Sequence, residues 1–298
     1  MELFNVLDGP RDSDIHTLAD FAELLCLTDI DGESSIEAVY DQIYDNLNKR
    51  IAENRLYDLM AQLHWRKEAF SDFYPFKNIT RNSFDLDENL SRKQKLYFAL
   101  LFCANLPFIN ISNHKILTDT FEIISKLSLK EVWSPLGSVT TFGKNNTQYT
   151  GTKAEKMNKL FQELGNISHF QNSSFRSSDS GDGGIDLAAW LKLDDYQSSH
   201  YFTALAQCAC SRNSWSSKHS EIKHDRFSTL SQISNRWSEI LFTPICFRGN
   251  NGEWAVAAEV SSGILFDRLR IIKSLEVVNI PLPKIFNDLI NEKRGLTS

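Results

Sequence analysis

No run in the chain approaches the roughly 18 consecutive apolar residues of a membrane-spanning helix, so no membrane-embedded role is expected. The first residues, Met1-Glu2-Leu3-Phe4, lack the basic and apolar segments of a secretion signal and run into several acids. Cysteine is sparse, with five residues spread from Cys26 to Cys246, an odd number that makes no secreted disulfide framework. A reducing, cytoplasmic compartment is the expectation. Cys208 and Cys210 are spaced C-x-C with His200, His219 and His224 nearby, but no further ligands follow at zinc-site spacing. Cysteine inside an apolar strand is usually inert packing, so Cys–His nucleophilic chemistry is not expected either. Positive charge is also short: the net charge of −6 argues against a generic polyanion binder. Ordered aromatics for base stacking and a base-reading motif are both lacking, so DNA and RNA are not separated by the residues themselves.

What remains is an ordinary globular composition, 42% apolar and 23% charged, in 298 residues, enough for two domains with separate cores. The charge is graded. Residues 1–150 hold 22 acids against 15 Lys and Arg, and residues 205–298 hold 9 against 12. Phosphate contact is therefore expected in the C-terminal block, where Arg248, Arg268, Arg270 and Lys273 are the candidates for following a nucleic-acid backbone. The acidic first 60 residues, with 14 acids and 4 bases, suit a docking surface for a protein partner.

Residues 1–142 read as an all-helical accessory domain. Leu18, Phe21, Leu24 and Leu25 follow helical spacing, as do Ile36, Val39, Tyr40, Ile43, Tyr44 and Leu47. Further stripes run through Ile51 to Leu63, Leu96 to Leu101, and Phe121 to Leu127, and Pro107 stops the fourth helix. Residues 143–298 read as an α/β core. A helix is predicted over 152–164 with Gly165 at its C-cap, then strands over 185–190 and 204–209, and a helix over 213–223. A strand over 241–247 is expected to pair with 254–260, and a helix to close 263–275.

The most informative stretch is Gly181-Asp182-Gly183-Gly184-Ile185-Asp186-Leu187, followed by Ala206-Gln207-Cys208-Ala209. An acid between Ile185 and Leu187 in a half-buried strand is costly to desolvate unless it has a hydrogen-bonding partner or a cation. Strand alternation puts Asp186 on one face with Ala188, leaving room for an ion and a phosphate. Mg²⁺ takes oxygen ligands and keeps several of its waters, so a few protein oxygens suffice. Candidates are the Asp186 carboxylate, the Gln207 amide oxygen, the Cys208 backbone carbonyl, and Glu155 on the preceding helix.

In order and spacing, Glu155, the GDGGID turn and the Gln207-Cys208 strand resemble the centre of the PD-(D/E)XK nucleases over roughly residues 150–270. The resemblance is to the branch found in bacterial restriction and mobile-element defence. It implies an α+β or α/β protein whose C-terminal domain is a restriction-endonuclease-like mixed β-sheet flanked by helices. It further implies a Mg²⁺- or Mn²⁺-dependent DNA endonuclease, acting as the effector of a restriction or anti-phage system beside an ATPase or sensor subunit. The alternative it leaves is a catalytically inactive member of the same fold that binds DNA or scaffolds a defence complex. The chain departs from the pattern where the family's lysine falls on Ala209. In relatives with Q-C-A, an N-x-W-x-x-K segment follows. Asn213 to Lys218 fits that form, which makes Lys218 the expected catalytic ammonium alongside Asp186 and Gln207.

Overall fold

The computed structural model describes residues 2–10, 14–47, 53–143, 146–175, 183–260 and 263–293. Helix α1 (Ile15–Thr28) is followed by strand β1 (Glu33–Ser35) and helices α2 (Ile36–Leu47) and α3 (Glu53–Phe70). Strands β2 (Phe76–Lys77) and β3 (Ser83–Leu86) precede α4 (Arg92–Ala104) and α5 (His114–Val132). Next come β4 (Ser138–Thr141), α6 (Lys153–Glu163), β5 (Ile167–Ser168), β6 (Leu187–Leu191) and β7 (Phe202–Cys208). The short α7 (Trp215–Lys218) runs on into a 3-10 turn, His219–Ile222, ahead of α8 (His224–Phe227), β8 (Ser231–Gln232) and β9 (Ser238–Phe242). Strand β10 (Ile264–Phe266) and helices α9 (Arg268–Ser274) and α10 (Lys284–Asn291) complete the described elements. None of the described helices is long and apolar enough to cross a membrane. The protein is thus a mixed α+β chain.

Packing groups the chain into two units that do not follow a single cut in the sequence. One unit comprises Met1–Thr120, Pro244–Ala257 and Asp267–Ser298; the other comprises Phe121–Thr243 and Ala258–Phe266. The first unit is not all helical, contrary to the pattern read from its apolar stripes. It contains a three-stranded antiparallel sheet in the order β1-β3-β2, with Ser34 opposite Phe84 and Phe76 opposite Leu86. These strands run two to four residues, too few for an alternating pattern to stand out from neighbouring helical stripes.

Helix α1 is buried along almost its whole length, acids included. Asp20 and Glu23 on it meet Arg66 of α3 and Arg268 of α9, all four side chains being 0% exposed. Arg66 Nη1 donates to Asp20 Oδ1 and Glu23 Oε1, both at 2.8 Å, and Arg268 Nη2 donates to Asp20 Oδ2 at 2.9 Å. The Tyr74 and Tyr97 hydroxyls each donate to Glu23 Oε1 at 2.9 Å, and Arg268 Nε reaches the Pro244 carbonyl at 2.9 Å. Two cations and two anions cancel, and the tyrosines and backbone carbonyls take up most of the remaining capacity, with Arg66 Nε left over. Such a buried network depends on its charges being matched and nearly all of its polar atoms being paired.

The second unit carries a five-stranded mixed sheet in the order β10-β9-β7-β6-β4. Strands β4, β6 and β7 are antiparallel neighbours, whereas β9 is parallel to both β7 and β10. One face is packed by Met157, Leu160 and Phe161 of α6 against Ala188, Trp190, Leu205 and Trp237. Helix α6 starts where the sequence predicts, and Gly165 ends it at φ +77°.

Two C-terminal expectations are corrected. Strand β9 begins earlier than expected and ends at Phe242, and Pro244 has no N–H with which to extend the ladder. The expected partner strand over 254–260 is reduced to one Arg248–Trp254 bridge and a 3-10 turn over Ala257–Val260. The helix expected over 263–275 is instead β10 followed by α9. The break falls at Asp267, whose carboxylate caps α9 by accepting from the Arg270 amide.

Removing one member of the buried network leaves a charge without its partner. Arg268→Met should therefore destabilise the protein by about 3–5 kcal/mol, to be read from the shift in a urea unfolding midpoint.

Candidate functional site

The pairing of β6 with β7 decides which side chains meet. The register runs from Leu191 opposite Phe202 to Leu187 opposite Ala206, so one further step puts Asp186 opposite Gln207. The Asp186 N–H continues the ladder to the Ala206 carbonyl at 3.0 Å, and its own carbonyl accepts from the Phe142 amide at 2.6 Å. Directly opposed residues of an antiparallel pair point to the same face. Asp186 and Gln207 therefore end the face that carries Ala188, Trp190 and Leu205 over α6.

The Asp186 side chain turns back along β7, where Oδ2 accepts from the Cys208 amide at 2.7 Å. The next amide, of Ala209, donates to the Phe242 carbonyl on the β9 side at 2.9 Å, so the Cys208 carbonyl across the same trans peptide is directed toward the β6 side. The Cys208 thiol lies on the opposite face. Burial, and next the charge of Asp186, hold it protonated far above the ordinary thiol range. It is packing rather than a nucleophile. All five cysteines are free, and among the described residues no three His, Cys, Asp or Glu side chains group as a metal site.

Gln207 is 5% exposed and lies between two carboxylates. In one amide orientation Nε2 donates to Glu221 Oε2 at 3.3 Å, while Oε1 faces only acceptors, namely Asp186 Oδ2 and the Gly184 carbonyl. In the other, Nε2 donates to Asp186 Oδ2 at 3.1 Å and to the Gly184 carbonyl. The second orientation satisfies the amide better and is the favoured one, so in the metal-free chain the nitrogen rather than the oxygen meets Asp186.

Glu221, in the 3-10 turn after α7, is the residue the sequence reading missed. Its Oε1 accepts from Lys218 Nζ at 2.7 Å, and its backbone carbonyl accepts from Arg226 Nη1 at 2.7 Å. The Lys218–Glu221 pair is partly screened, at 39% and 30% side-chain exposure. Glu221 rests against Gly184, where a Cβ would stand 2.5 Å from Glu221 Oε2 and 2.8 Å from its Cβ. Gly184 also has φ +84° and Gly183 φ +65°, so this turn needs glycine twice, for conformation and for space. Gly181 and Asp182 of the same motif lie outside the described residues.

The remaining candidates divide. Glu155 is not a third oxygen at Asp186. It forms a capping box, accepting from the Thr152 amide at 2.7 Å while Thr152 Oγ1 accepts from the Glu155 amide at 3.3 Å. Those hydrogen bonds hold its carboxyl below the usual range. Arg268 is no phosphate ligand, because it is wholly buried on Asp20. Arg248 is largely committed too: its side chain is 13% exposed, donates to Asp267 Oδ2 at 2.9 Å, and stacks 3.5 Å over the Trp254 ring. Arg270 and Lys273 are exposed, with the Arg270 guanidinium 4.8 Å from the centroid of the same Trp254 ring.

No protein-family model, curated protein or solved structure matches the chain.

A side chain at Gly184 collides with Glu221 and strains a left-handed backbone position. Gly184→Ala is expected to lower stability by about 1–3 kcal/mol, measured by denaturant unfolding. In the same variant the Lys218–Glu221 pair should separate, seen as a loss of its coupling in a double-mutant cycle.

Proposed function

We propose that the chain is a divalent-metal-dependent nuclease acting on DNA, with Asp186 and Gln207 at its centre and Lys218 beside them. The observation that carries the reading is the meeting of an acid and an amide at the β6–β7 end. Half-buried Asp186 stands opposite buried Gln207, with the Glu221 carboxylate on the other side of the amide. An acid, an amide and a second carboxylate at one strand end are the residue types that bind a hard cation. The donors are hard oxygen atoms, which suits Mg²⁺ or Mn²⁺ rather than a thiolate-seeking ion. Asp186, Gln207 and the Cys208 carbonyl are the atoms that would hold it. When bound, such an ion neutralises phosphate charge and lowers the pKa of water for attack.

The chain's own residues supply the rest. Lys218, held by Glu221 Oε1, offers an ammonium that orients a phosphate oxygen or the attacking water. The glycine at 184 leaves the space in which Glu221 packs, which holds Glu221 beside Gln207 and Lys218. Three antiparallel strands followed by a parallel neighbour, with helices between, also support a restriction-endonuclease-like core. Of the four cations read as phosphate contacts, Arg270 and Lys273 are exposed at the surface. A net charge of −6 fits an enzyme delivered to DNA by another subunit of a defence assembly, which also restrains indiscriminate cutting.

A second reading is a nuclease-fold subunit that no longer cleaves and serves as a DNA-binding or scaffolding component. It is favoured by Ala209 in place of the family lysine and by the engagement of Glu155 as a helix cap.

Calorimetric Mn²⁺ titration and plasmid nicking of wild type and Asp186→Asn test the two. The nuclease reading expects Mn²⁺ binding and metal-dependent nicking in wild type and the loss of both in Asp186→Asn. Mn²⁺ binding without nicking, even with partner subunits added, supports the second reading. Equal Mn²⁺ binding by wild type and Asp186→Asn contradicts the metal centre.

A further inference from the structure

The amide of Gln207 cannot serve both carboxylates with the same atom. Its nitrogen goes to one and its oxygen then faces the other. Asp186 Oδ2 already accepts from the Cys208 amide, and Glu221 Oε1 already holds Lys218. Glu221 Oε2 is the second acceptor within reach of the amide nitrogen, at 3.3 Å. From this we infer that Glu221 is a positioning residue: it takes the Gln207 nitrogen and thereby turns the amide oxygen toward Asp186. The inference rests on the proposal that Asp186 and Gln207 hold a divalent cation.

Two states of one side chain follow. With the nitrogen on Asp186 and the Gly184 carbonyl, the favoured state without metal, the amide oxygen faces Glu221 Oε2 and is directed away from Asp186. With the nitrogen on Glu221, the Gln207 oxygen and the Asp186 carboxylate converge and become ligands. The turn exchanges one carboxylate acceptor for another, so neither state leaves the buried nitrogen unpaired. Glu221 performs the same service for Lys218 through its other oxygen, so one carboxylate orients both an amide and an ammonium. Its reach is fixed by geometry: Arg226 holds the backbone carbonyl of Glu221, and the Glu221 Cβ sits in the space that Gly184 leaves open.

The test uses the full-length protein with ¹⁵N-labelled glutamine, titrated with Mg²⁺ alone. The Gln207 side-chain amide is assigned by its disappearance in Gln207→Asn. In wild type, Mg²⁺ should shift the Gln207 side-chain resonances as the nitrogen moves to Glu221. Glu221→Ala keeps the Cβ against Gly184 but removes both oxygens, and should weaken Mg²⁺ binding about ten- to hundredfold, as loss of an orienting partner does. Glu221→Gln keeps one acceptor oxygen without the charge and should fall between wild type and Glu221→Ala. Far-UV circular dichroism confirms that the variants are folded. Wild-type Mg²⁺ affinity in Glu221→Ala overturns this inference alone and leaves the metal centre standing. No Mg²⁺ binding that depends on Asp186 in wild type overturns the nuclease reading, and this inference with it.

Discussion

The register between β6 and β7 is the constraint on which the site depends. Leu187 pairs with Ala206, and the next step brings Asp186 and Gln207 to the same face at the end of the sheet. A slip of one residue would send Asp186 to the opposite face. The pairing is fixed from the apolar side, because Ala188, Trp190 and Leu205 must lie on α6. Hydrophobic packing thus positions two polar side chains that contribute nothing to it. The cost of half-burying Asp186 is met locally by the Cys208 amide.

The first unit solves a different electrostatic problem. Asp20, Glu23, Arg66 and Arg268 cancel one another in the interior with two tyrosines completing their hydrogen bonds. Replacing such a set with apolar residues often costs nothing, whereas breaking it does. Its structural effect is to tie α1, α3, α4 and α9 together through groups from opposite ends of the chain. One of the four cations read as phosphate contacts, Arg268, is spent inside this unit. Of the other three, Arg270 and Lys273 are exposed.

How much of this was legible in the sequence varies with the range of the interaction. The Asp186 and Gln207 pairing was legible because two apolar strands carried one polar residue each, in sequence order. The cap formed by Glu155 was legible too, since Thr152-x-x-Glu155 has the spacing of a capping box, yet the resemblance drew that glutamate toward the metal. Glu221 lies three residues beyond Lys218 on the same turn, the one local clue to an ion pair. The burial of Arg268 had no local signal, because its partner Asp20 lies 248 residues away. Strands β1 to β3 were hidden by their brevity, and β10 was read as part of a helix because Ile264 and Leu265 also fit the stripe that continues through α9.

The proposed metal centre at Asp186 and Gln207 is tested most directly by a crystal structure grown with Mn²⁺ and mapped by anomalous scattering. A peak within bonding distance of the Asp186 carboxylate and the Gln207 amide oxygen is the expected result. A map without a peak there, in crystals that take up Mn²⁺ elsewhere, would contradict it and leave Asp186 as a strand-end hydrogen-bond acceptor.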